Sequence, residues 1–182
     1  MIEIHEAGNE HYSLIHDIAH QTWPHTFSNF ISKEQISYMM GMLYSVAALR
    51  KQVEESGHIF ILAKYETGYL GFASYEINFQ NSAMIKIQKI YILPAAQGKG
   101  VGKQLIHRIS EIAQQNNNPE LTLNVNKHNP AIQFYLHLGF QKVAEVNIPI
   151  GNGFVMEDYI MNKPLLIDVL NKNDDATISW EE

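Results

Sequence analysis

The segment from Lys89 to Gly102 constrains the fold of this chain more than any other stretch. It reads Lys-Ile-Tyr-Ile-Leu-Pro-Ala-Ala-Gln-Gly-Lys-Gly-Val-Gly. This order predicts the end of a strand, a short turn, a glycine-rich loop and the start of a helix. Glycine lacks the Cβ atom that would keep a ligand away from the backbone. A helix N-terminus presents free N–H groups and the positive end of the helix dipole. The segment therefore predicts an anion-binding site, and the anion it favours is a pyrophosphate.

Two common phosphate-binding motifs do not fit the spacing of these glycines. A nucleotide-hydrolase phosphate loop needs a glycine where the chain has Gln97, and Ser or Thr where it has Gln104. A dinucleotide-binding fingerprint needs a third glycine where the chain has Lys103. The pattern that remains is Gln97-x-x-Gly100-x-Gly102. On its own, this pattern also fits an ordinary glycine-rich turn before a helix.

The strand that leads into the loop changes phase along its length. Ile85 and Ile87 share one phase of the alternation, whereas Ile90 and Ile92 share the other. A slip of one residue predicts a β-bulge near Gln88–Lys89, and bulges often lie beside active sites. The alternative is a strand that is buried on both faces, in which the phase carries little information.

Hydrophobic periodicity over the whole chain predicts one domain. The elements follow the order β, α, α, β, β, β, α, β, α, β, β, with a third helical piece at Val46–Glu55. This order predicts an α/β (α+β) fold, with a single mixed, twisted sheet and helices on both faces. The domain spans residues 1–165, and an acidic tail covers residues 166–182. The first helix is expected to end at Trp23-Pro24-His25, because a residue before proline is disfavoured in helical space.

Composition and charge exclude several classes of protein. The 182 residues include no cysteine, which excludes disulfides and thiolate metal sites. The net charge of −6 argues against a nucleic-acid partner. No apolar run approaches the ~18 residues of a membrane span, and the start of the chain does not resemble a signal peptide. His16 and His20 have a spacing that could hold a metal, but no glutamate completes a known motif. We therefore expect a cytoplasmic protein without membrane, nucleic acid or metal partners.

A second motif supports a family resemblance. The segment Asn129-Pro-Ala-Ile-Gln-Phe-Tyr-Leu-His-Leu-Gly-Phe140 resembles the Asn…Ala-x-x-Phe-Tyr-x-x-x-Gly-Phe motif of the GCN5-related N-acetyltransferase (GNAT) family. Gln97-x-x-Gly100-x-Gly102 resembles that family's acetyl-coenzyme A signature. The two motifs occur in the expected order and on the expected elements, and the resemblance covers nearly the whole chain.

The resemblance implies acetyl-coenzyme A (acetyl-CoA) as the cosubstrate, held in a V between two splayed strands. Backbone N–H groups of the loop would bind the pyrophosphate. Backbone groups at the end of the preceding strand would pair with the pantetheine amides, and the second motif would reach the arm of the coenzyme. The residues assigned to the coenzyme are Ile92, Leu93, Gln97, Gly98, Lys99, Gly100, Val101, Gly102, Lys103, Asn129 and Phe134.

The implied reaction is direct attack of a primary amine on the thioester in a ternary complex. Tyr135 is the candidate acid for the departing thiolate, although an ordinary amphipathic tyrosine fits the same pattern. The strand before the loop carries no carboxylate that could serve as the base. Glu76 on the neighbouring strand, and Glu157 or Asp158 on the last strand, are the candidates. Solvated surface carboxylates are the alternative interpretation.

The sequence says less about the acceptor. Trp23, His25 and Tyr38 are candidates for the acceptor site, together with Tyr91, whose neighbourhood could also supply a backbone donor to the oxyanion. A small amine or polyamine is favoured, and a protein amino group comes second. The alternative function is a coenzyme A-binding regulatory or sensor module with little catalysis. A homodimer is a further prediction.

Overall fold

The structure is a computed structural model that describes residues 1–66 and 68–166. Its strands are β1 (Ile2–Glu6), β2 (Ile59–Tyr65), β3 (Gly68–Glu76), β4 (Met84–Ile92), β5 (Glu120–Asn126), β6 (Gln141–Gly151) and β7 (Phe154–Pro164). They form one mixed sheet in the order β1-β2-β3-β4-β5-β7-β6. Only β4 and β5 pair in parallel, and all other neighbours in this sheet are antiparallel.

Helices cover both faces of this sheet. They are α1 (Tyr12–Phe27), α2 (Lys33–Tyr44), α3 (Val46–Ser56), α4 (Val101–Gln115) and α5 (Ala131–His137). One core lies between the sheet and α1, α2 and α3. The other lies between the sheet and α4, with residues of α5 packed against it. In α4, Leu105 and Ile109 are completely buried. Each such side chain is worth about 1.5–3 kcal/mol relative to exposure. Along the described part of the chain, no helix has the length and apolarity required to cross a bilayer.

The predicted fold class is confirmed, with corrections at particular elements. The helical piece after Val46 is a separate helix, so three helices rather than two precede β2. The prediction that α1 ends at Pro24 is wrong, because α1 continues through it to Phe27. Trp23 and Phe27 are both buried, and their rings contact each other in a tilted arrangement with centroids 4.3 Å apart. We infer that burial of this pair outweighs the loss of one helical hydrogen bond at the proline.

The predicted tail and hairpin turn lie partly beyond what the structure describes. Leu166 is exposed, whereas residues 167–182 lie outside the described residues. Thr67 of the predicted turn between β2 and β3 lies outside them as well. The division into a domain and a tail therefore stays a prediction.

The β-bulge in β4 is present at the predicted place. Ser74 of β3 pairs with Lys89, but Tyr75 pairs with Ile87, so Gln88 is the extra residue. As a result, the isoleucines on either side of the bulge all pack against the core under α4. The side chain of Tyr91 packs against the opposite core, under α1 and α2.

The parallel pair β4–β5 opens beyond the bulge. Its paired residues run from Met84↔Glu120 to Ile87↔Leu123. The last residues of β4 and of β5 have no partner in each other, so the two strands diverge into a V. The glycine loop follows β4 on one side of the V, and the segment leading to α5 follows β5 on the other.

Candidate active site

Two cavities meet at the opening between β4 and β5. The first, which we call the loop cavity, has a volume of about 640 Å³ and is lined by the glycine loop and by α5. The second, the helix cavity, has a volume of about 660 Å³ and is lined by residues of α1, α2, β4, β5, β6 and β7. Ile90, Tyr91, Asn129 and Tyr135 line both. A molecule in one cavity can therefore contact a molecule in the other beside these four residues.

The glycine loop has the backbone geometry that its sequence predicts. Gln97 has extended dihedral angles (φ −64°, ψ 151°), and Gly98 has a positive φ of 74°, which glycine adopts without strain. Gly100 precedes α4 with φ 80°, which also favours glycine. Within residues 1–66 and 68–166, the N–H groups from Gly98 to Lys103 make no well-formed hydrogen bond to a backbone carbonyl. These donors are available to an anion.

Gly102 has a second role that the sequence did not reveal. A Cβ atom at this position would lie 3.1 Å from Cζ of Phe134 on α5. The first motif and the second motif therefore pack closely against each other beside the loop cavity, and a larger residue at 102 would require Phe134 to shift.

The end of β4 presents one of its two predicted pantetheine-binding residues to the opening. The N–H of Leu93 donates to the carbonyl of Leu70 at 2.9 Å, and the carbonyl of Leu93 accepts from Ala96 at 2.8 Å. The backbone groups of Leu93 are thus already bonded within the protein. Because backbone directions alternate along a strand, those of Ile90 and Ile92 point toward the V. The side chain of Gln97 donates to the carbonyl of Ile92 at 3.2 Å and ties the loop to the strand.

Tyr135 lies at the junction of the two cavities. Its ring packs against Phe134 and Phe140, with centroids 5.3 and 5.7 Å away. Burial raises the pKa of its hydroxyl well above the ordinary value, and Tyr91 raises it further. The phenol therefore stays protonated at neutral pH and can act as a proton donor.

Asn129 lines both cavities and lies two residues before the first residue of α5. Its Oδ1 accepts a hydrogen bond from the N–H of Ala131 at 2.9 Å. This is the capping role that the sequence predicts for an asparagine before proline. The Nδ2 group of Asn129 makes no hydrogen bond to the side chains or backbone that the structure describes, and it can donate to a ligand.

The carboxylates predicted as bases occupy different environments. Oε1 of Glu76 accepts from Nε2 of Gln88 at 2.5 Å and lies 3.1 Å from Nε2 of His58. Glu157 lies 2.5 Å from Nζ of Lys127 at the surface, and this hydrogen bond lowers the pKa of Glu157. Neither side chain lines a cavity, whereas Asp158, its neighbour on β7, lines the helix cavity and is buried.

Two buried lysines line the helix cavity, and sequence reasoning missed them. Lys86 and Lys89 are only 8% and 7% exposed. Nζ of Lys86 donates to Oδ1 of Asn124, and Nζ of Lys89 lies 3.5 Å from Nδ1 of His58. Burial lowers the pKa of Lys86 to about 8 and that of Lys89 to about 7. The predicted bulge could have revealed them, because the extra residue places Lys89 on the same face of the sheet as Lys86 and Tyr91.

The predicted acceptor residues separate into three groups. Trp23 and Tyr91 line the helix cavity, and Tyr91 lines the loop cavity too. His25 lines only the loop cavity. Tyr38 lines neither, and its hydroxyl donates to the carbonyl of Ile150 at 2.9 Å. Burial raises the pKa of Tyr91 to about 12, so its hydroxyl is neutral.

Comparison with known proteins gives one family. Residues 56–142 match the family "Acetyltransferase (GNAT) domain". An uncharacterized N-acetyltransferase from Lactobacillus delbrueckii subsp. lactis, encoded in the pepI 3′ region, is 24% identical over 155 residues, which cover 82% of this chain and 89% of that protein.

Solved structures share the fold. The PaiA N-acetyltransferase of Thermoplasma acidophilum, in complex with coenzyme A, is 23% identical with a TM-score of 0.75 and covers 90% of this chain and 99% of its own. A GCN5-related N-acetyltransferase from Rhodopseudomonas palustris is 20% identical with a TM-score of 0.76, covering 90% and 95%. Residues 56–142 match the GNAT domain family, the two motifs and the fold agree with that match, and together they support an acetyl-CoA-dependent N-acetyltransferase.

Proposed function

We propose that this enzyme transfers the acetyl group of acetyl-CoA to the amine of a small molecule in a ternary complex. The observation that supports this proposal is the meeting of two cavities beside Tyr135. In the proposal, the coenzyme occupies the loop cavity and the acceptor occupies the helix cavity. The acceptor is then positioned to attack the thioester directly, with no covalent enzyme intermediate.

The loop cavity fits a coenzyme A pyrophosphate and its pantetheine arm. Among the described residues, the N–H groups from Gly98 to Lys103 make no hydrogen bond to a backbone carbonyl, so they can donate to the pyrophosphate. Lys103 lines the cavity and adds a positive charge. The backbone groups of Ile92 and Ile90, and the Nδ2 group of Asn129, lie along the path of the arm. Hydrogen bonds to charged groups are worth about 1.5–3 kcal/mol each, so a few suffice for micromolar binding.

In the reaction, the amine nitrogen forms a bond to the acetyl carbon and the carbon–sulfur bond breaks. A backbone N–H on the open side of β4, from Ile90 or Ile92, donates to the developing oxyanion. The Tyr135 hydroxyl gives its proton to the thiolate, and solvent returns a proton to the phenolate. The net products are the N-acetylated amine, coenzyme A and the proton lost by the ammonium group.

A small acceptor is favoured because the helix cavity, with a volume of about 660 Å³, suits a small molecule and has mostly apolar walls. Trp23, Phe27, Met39, Tyr44 and Met156 form these walls. A protein amino group is the second candidate, since a chain terminus could also enter the cavity. The predicted homodimer and cytoplasmic location stay predictions.

Tyr135→Phe tests the proposal because it removes only the hydroxyl. General acid catalysis contributes about 10²–10⁴-fold, so we expect kcat to fall by about 100-fold or more. The Kd for coenzyme A, measured by calorimetry, should stay within twofold. Tyr38→Phe is the matched control, since its hydroxyl lies outside both cavities, and it should retain kcat.

The alternative function is separated by thiol release with a panel of amines. If coenzyme A binds but no amine releases thiol above the hydrolysis rate, the protein is a regulatory module rather than an enzyme. Full activity of the Tyr135→Phe variant would instead remove Tyr135 from the mechanism and leave the enzyme class intact.

A further inference from the structure

The helix cavity contains more buried charge than an apolar amine would need. Lys86, Lys89 and Asp158 all line it, and each is more than nine-tenths buried. Charged side chains are almost never buried this completely unless they are paired. Both the two lysines and the aspartate in this cavity lack some of the partners that would compensate for their burial.

The two lysines lack a carboxylate partner. In the part of the chain that the structure describes, neither ammonium group forms an ion pair. Lys86 contacts the amide oxygen of Asn124, and Lys89 contacts a ring nitrogen of His58. The remaining neighbours of the Lys89 ammonium include the faces of Phe60 and Tyr44, at 5.7 and 5.9 Å. These contacts replace water poorly, which is why burial lowers the pKa of both lysines.

Asp158 shows the complementary deficit. Its Oδ1 is buried and has no hydrogen-bond partner among the described residues. Burial raises the pKa of Asp158, and the hydrogen bond with Asn124 and the charge of Lys86 only partly oppose this effect. An orphaned buried carboxylate oxygen is costly and gains from a donor that arrives with a ligand.

We infer that the acceptor is a small zwitterion, a primary amine that carries a carboxylate on the same molecule. Lys86 and Lys89 bind the carboxylate, Asp158 receives the ammonium group, and the apolar walls hold the side chain. This inference rests on the proposed acetyl transfer and names the substrate class of that reaction.

The same charges disfavour the other acceptors. A polyamine would bring several ammonium groups against two buried lysines, with one carboxylate lining the cavity to receive them. The amino terminus of a protein has no free carboxylate near its amine. Both would leave the lysines without an anion, whereas an amino acid supplies one.

The experiment compares amino acids with the amines that they yield on decarboxylation. The pairs are phenylalanine with phenethylamine, leucine with isopentylamine, and lysine with cadaverine; spermidine is added. We expect kcat/KM for at least one amino acid to exceed that of its paired amine, and that of spermidine, by tenfold or more. An amine or spermidine that equals or exceeds every amino acid overturns the inference.

Substitution of the lysines tests the assignment of the carboxylate site. Lys86→Met and Lys89→Met keep an unbranched side chain, one heavy atom shorter than that of lysine, and remove its charge. Each should raise the KM of the preferred amino acid by about tenfold, and should leave the KM of acetyl-CoA unchanged. Lys103→Met, in the loop cavity, should instead raise the KM of acetyl-CoA. Equal KM values for the amino acid in the unaltered protein and in the three variants would contradict the assignment.

A measurement on the unaltered protein covers the case in which these variants do not fold. An N-acetyl amino acid, the product, has a carboxylate and no amine, and N-acetylphenethylamine lacks both charges. At pH 8, calorimetry in buffers of different ionisation enthalpy should show proton uptake by the lysines when the N-acetyl amino acid binds. It should show none when N-acetylphenethylamine binds. Absence of uptake with the N-acetyl amino acid overturns the inference.

Failure of this inference differs from failure of the proposed function. If amines are acetylated without any preference for a carboxylate, the enzyme remains and the inference falls. If neither amines nor amino acids release thiol, while coenzyme A still binds, the proposed function falls and takes the inference with it.

Discussion

The two cavities that meet at Tyr135 offer different kinds of binding group to a ligand. The loop cavity offers backbone N–H groups from Gly98 to Lys103, held by glycines at positive φ. The helix cavity offers side chains, including Lys86, Lys89 and Asp158 in near-complete burial. A site made of backbone groups depends on geometry and tolerates changes in charge. A site made of buried side chains depends on charge balance and on which face each residue occupies.

The largest effect that this comparison predicts comes from a change in backbone geometry at the glycine loop. Gly100→Val places a β-branched residue at φ 80° immediately before α4, and such strain costs about 1–3 kcal/mol. The donors should turn away from the pyrophosphate. We expect the Kd for coenzyme A, measured by calorimetry, to rise about 100-fold, since two lost hydrogen bonds to charged groups are worth about 3 kcal/mol or more.

The control for this variant is Gly41→Ala. Gly41 lies in α2, and an added Cβ would meet nothing within 4 Å. It should bind coenzyme A normally and gain about 1 kcal/mol in the free energy of unfolding. A folded Gly100→Val protein with an unchanged Kd would show that the backbone donors are not the binding site.

The charge side of the comparison appears in the stability of the protein against pH. Burial lowers the pKa of Lys89 from its ordinary 10.5 to about 7. Between these two values the unfolded chain binds more protons than the folded protein, so the free energy of unfolding rises with pH. The slope should approach about 1.4 kcal/mol per pH unit for this group at the centre of the window. Chemical denaturation at pH 7, 8 and 9 measures it.

Lys89→Met should lower this slope and raise the stability at pH 7, while the Kd for coenzyme A stays the same. Lys51→Met is the control, because the side chain of Lys51 is 70% exposed on α3. It should leave the slope as it is. The same slope in the Lys89→Met and Lys51→Met proteins would refute the lowered pKa.

The smallest expected effect concerns the hydrogen bond by which Gln97 connects the glycine loop to the end of β4. Gln97→Ala removes the hydrogen bond from its side chain to the carbonyl of Ile92. An exposed neutral hydrogen bond is worth about 0.5–1.5 kcal/mol, so the KM for acetyl-CoA should rise about threefold with little change in kcat. Gln104→Ala, on the exposed surface of α4, serves for comparison. A larger effect on kcat would mean that Gln97 positions the thioester rather than the loop.

The loop cavity was largely predictable because backbone geometry follows from local sequence. Glycine at residues 98 and 100 permits positive φ, and Asn129 caps α5 without help from distant residues. The bulge was also predictable, since the isoleucines of β4 change phase at Gln88. These features depend on a few neighbouring residues.

The helix cavity was harder to predict because it depends on how distant elements pack. On β7, Glu157 and Asp158 differ by one position, and only the register of the sheet decides that Asp158 faces inward. Pro24 appeared to end α1, but the burial of Trp23 with Phe27 keeps the helix intact. The bonding of Leu93 to Leu70 likewise depends on pairing with another strand.

The bulge at Gln88 decides which side chains of β4 line each face of the sheet. With it, Ile90 and Ile92 lie under α4 while Lys86, Lys89 and Tyr91 share the other side. If Gln88 were instead paired as a regular strand residue, the linings beyond it would exchange, with isoleucines toward the helix cavity and lysine and tyrosine beneath α4. The bulge in β4 thus separates the residues proposed for coenzyme recognition from those proposed for acceptor recognition.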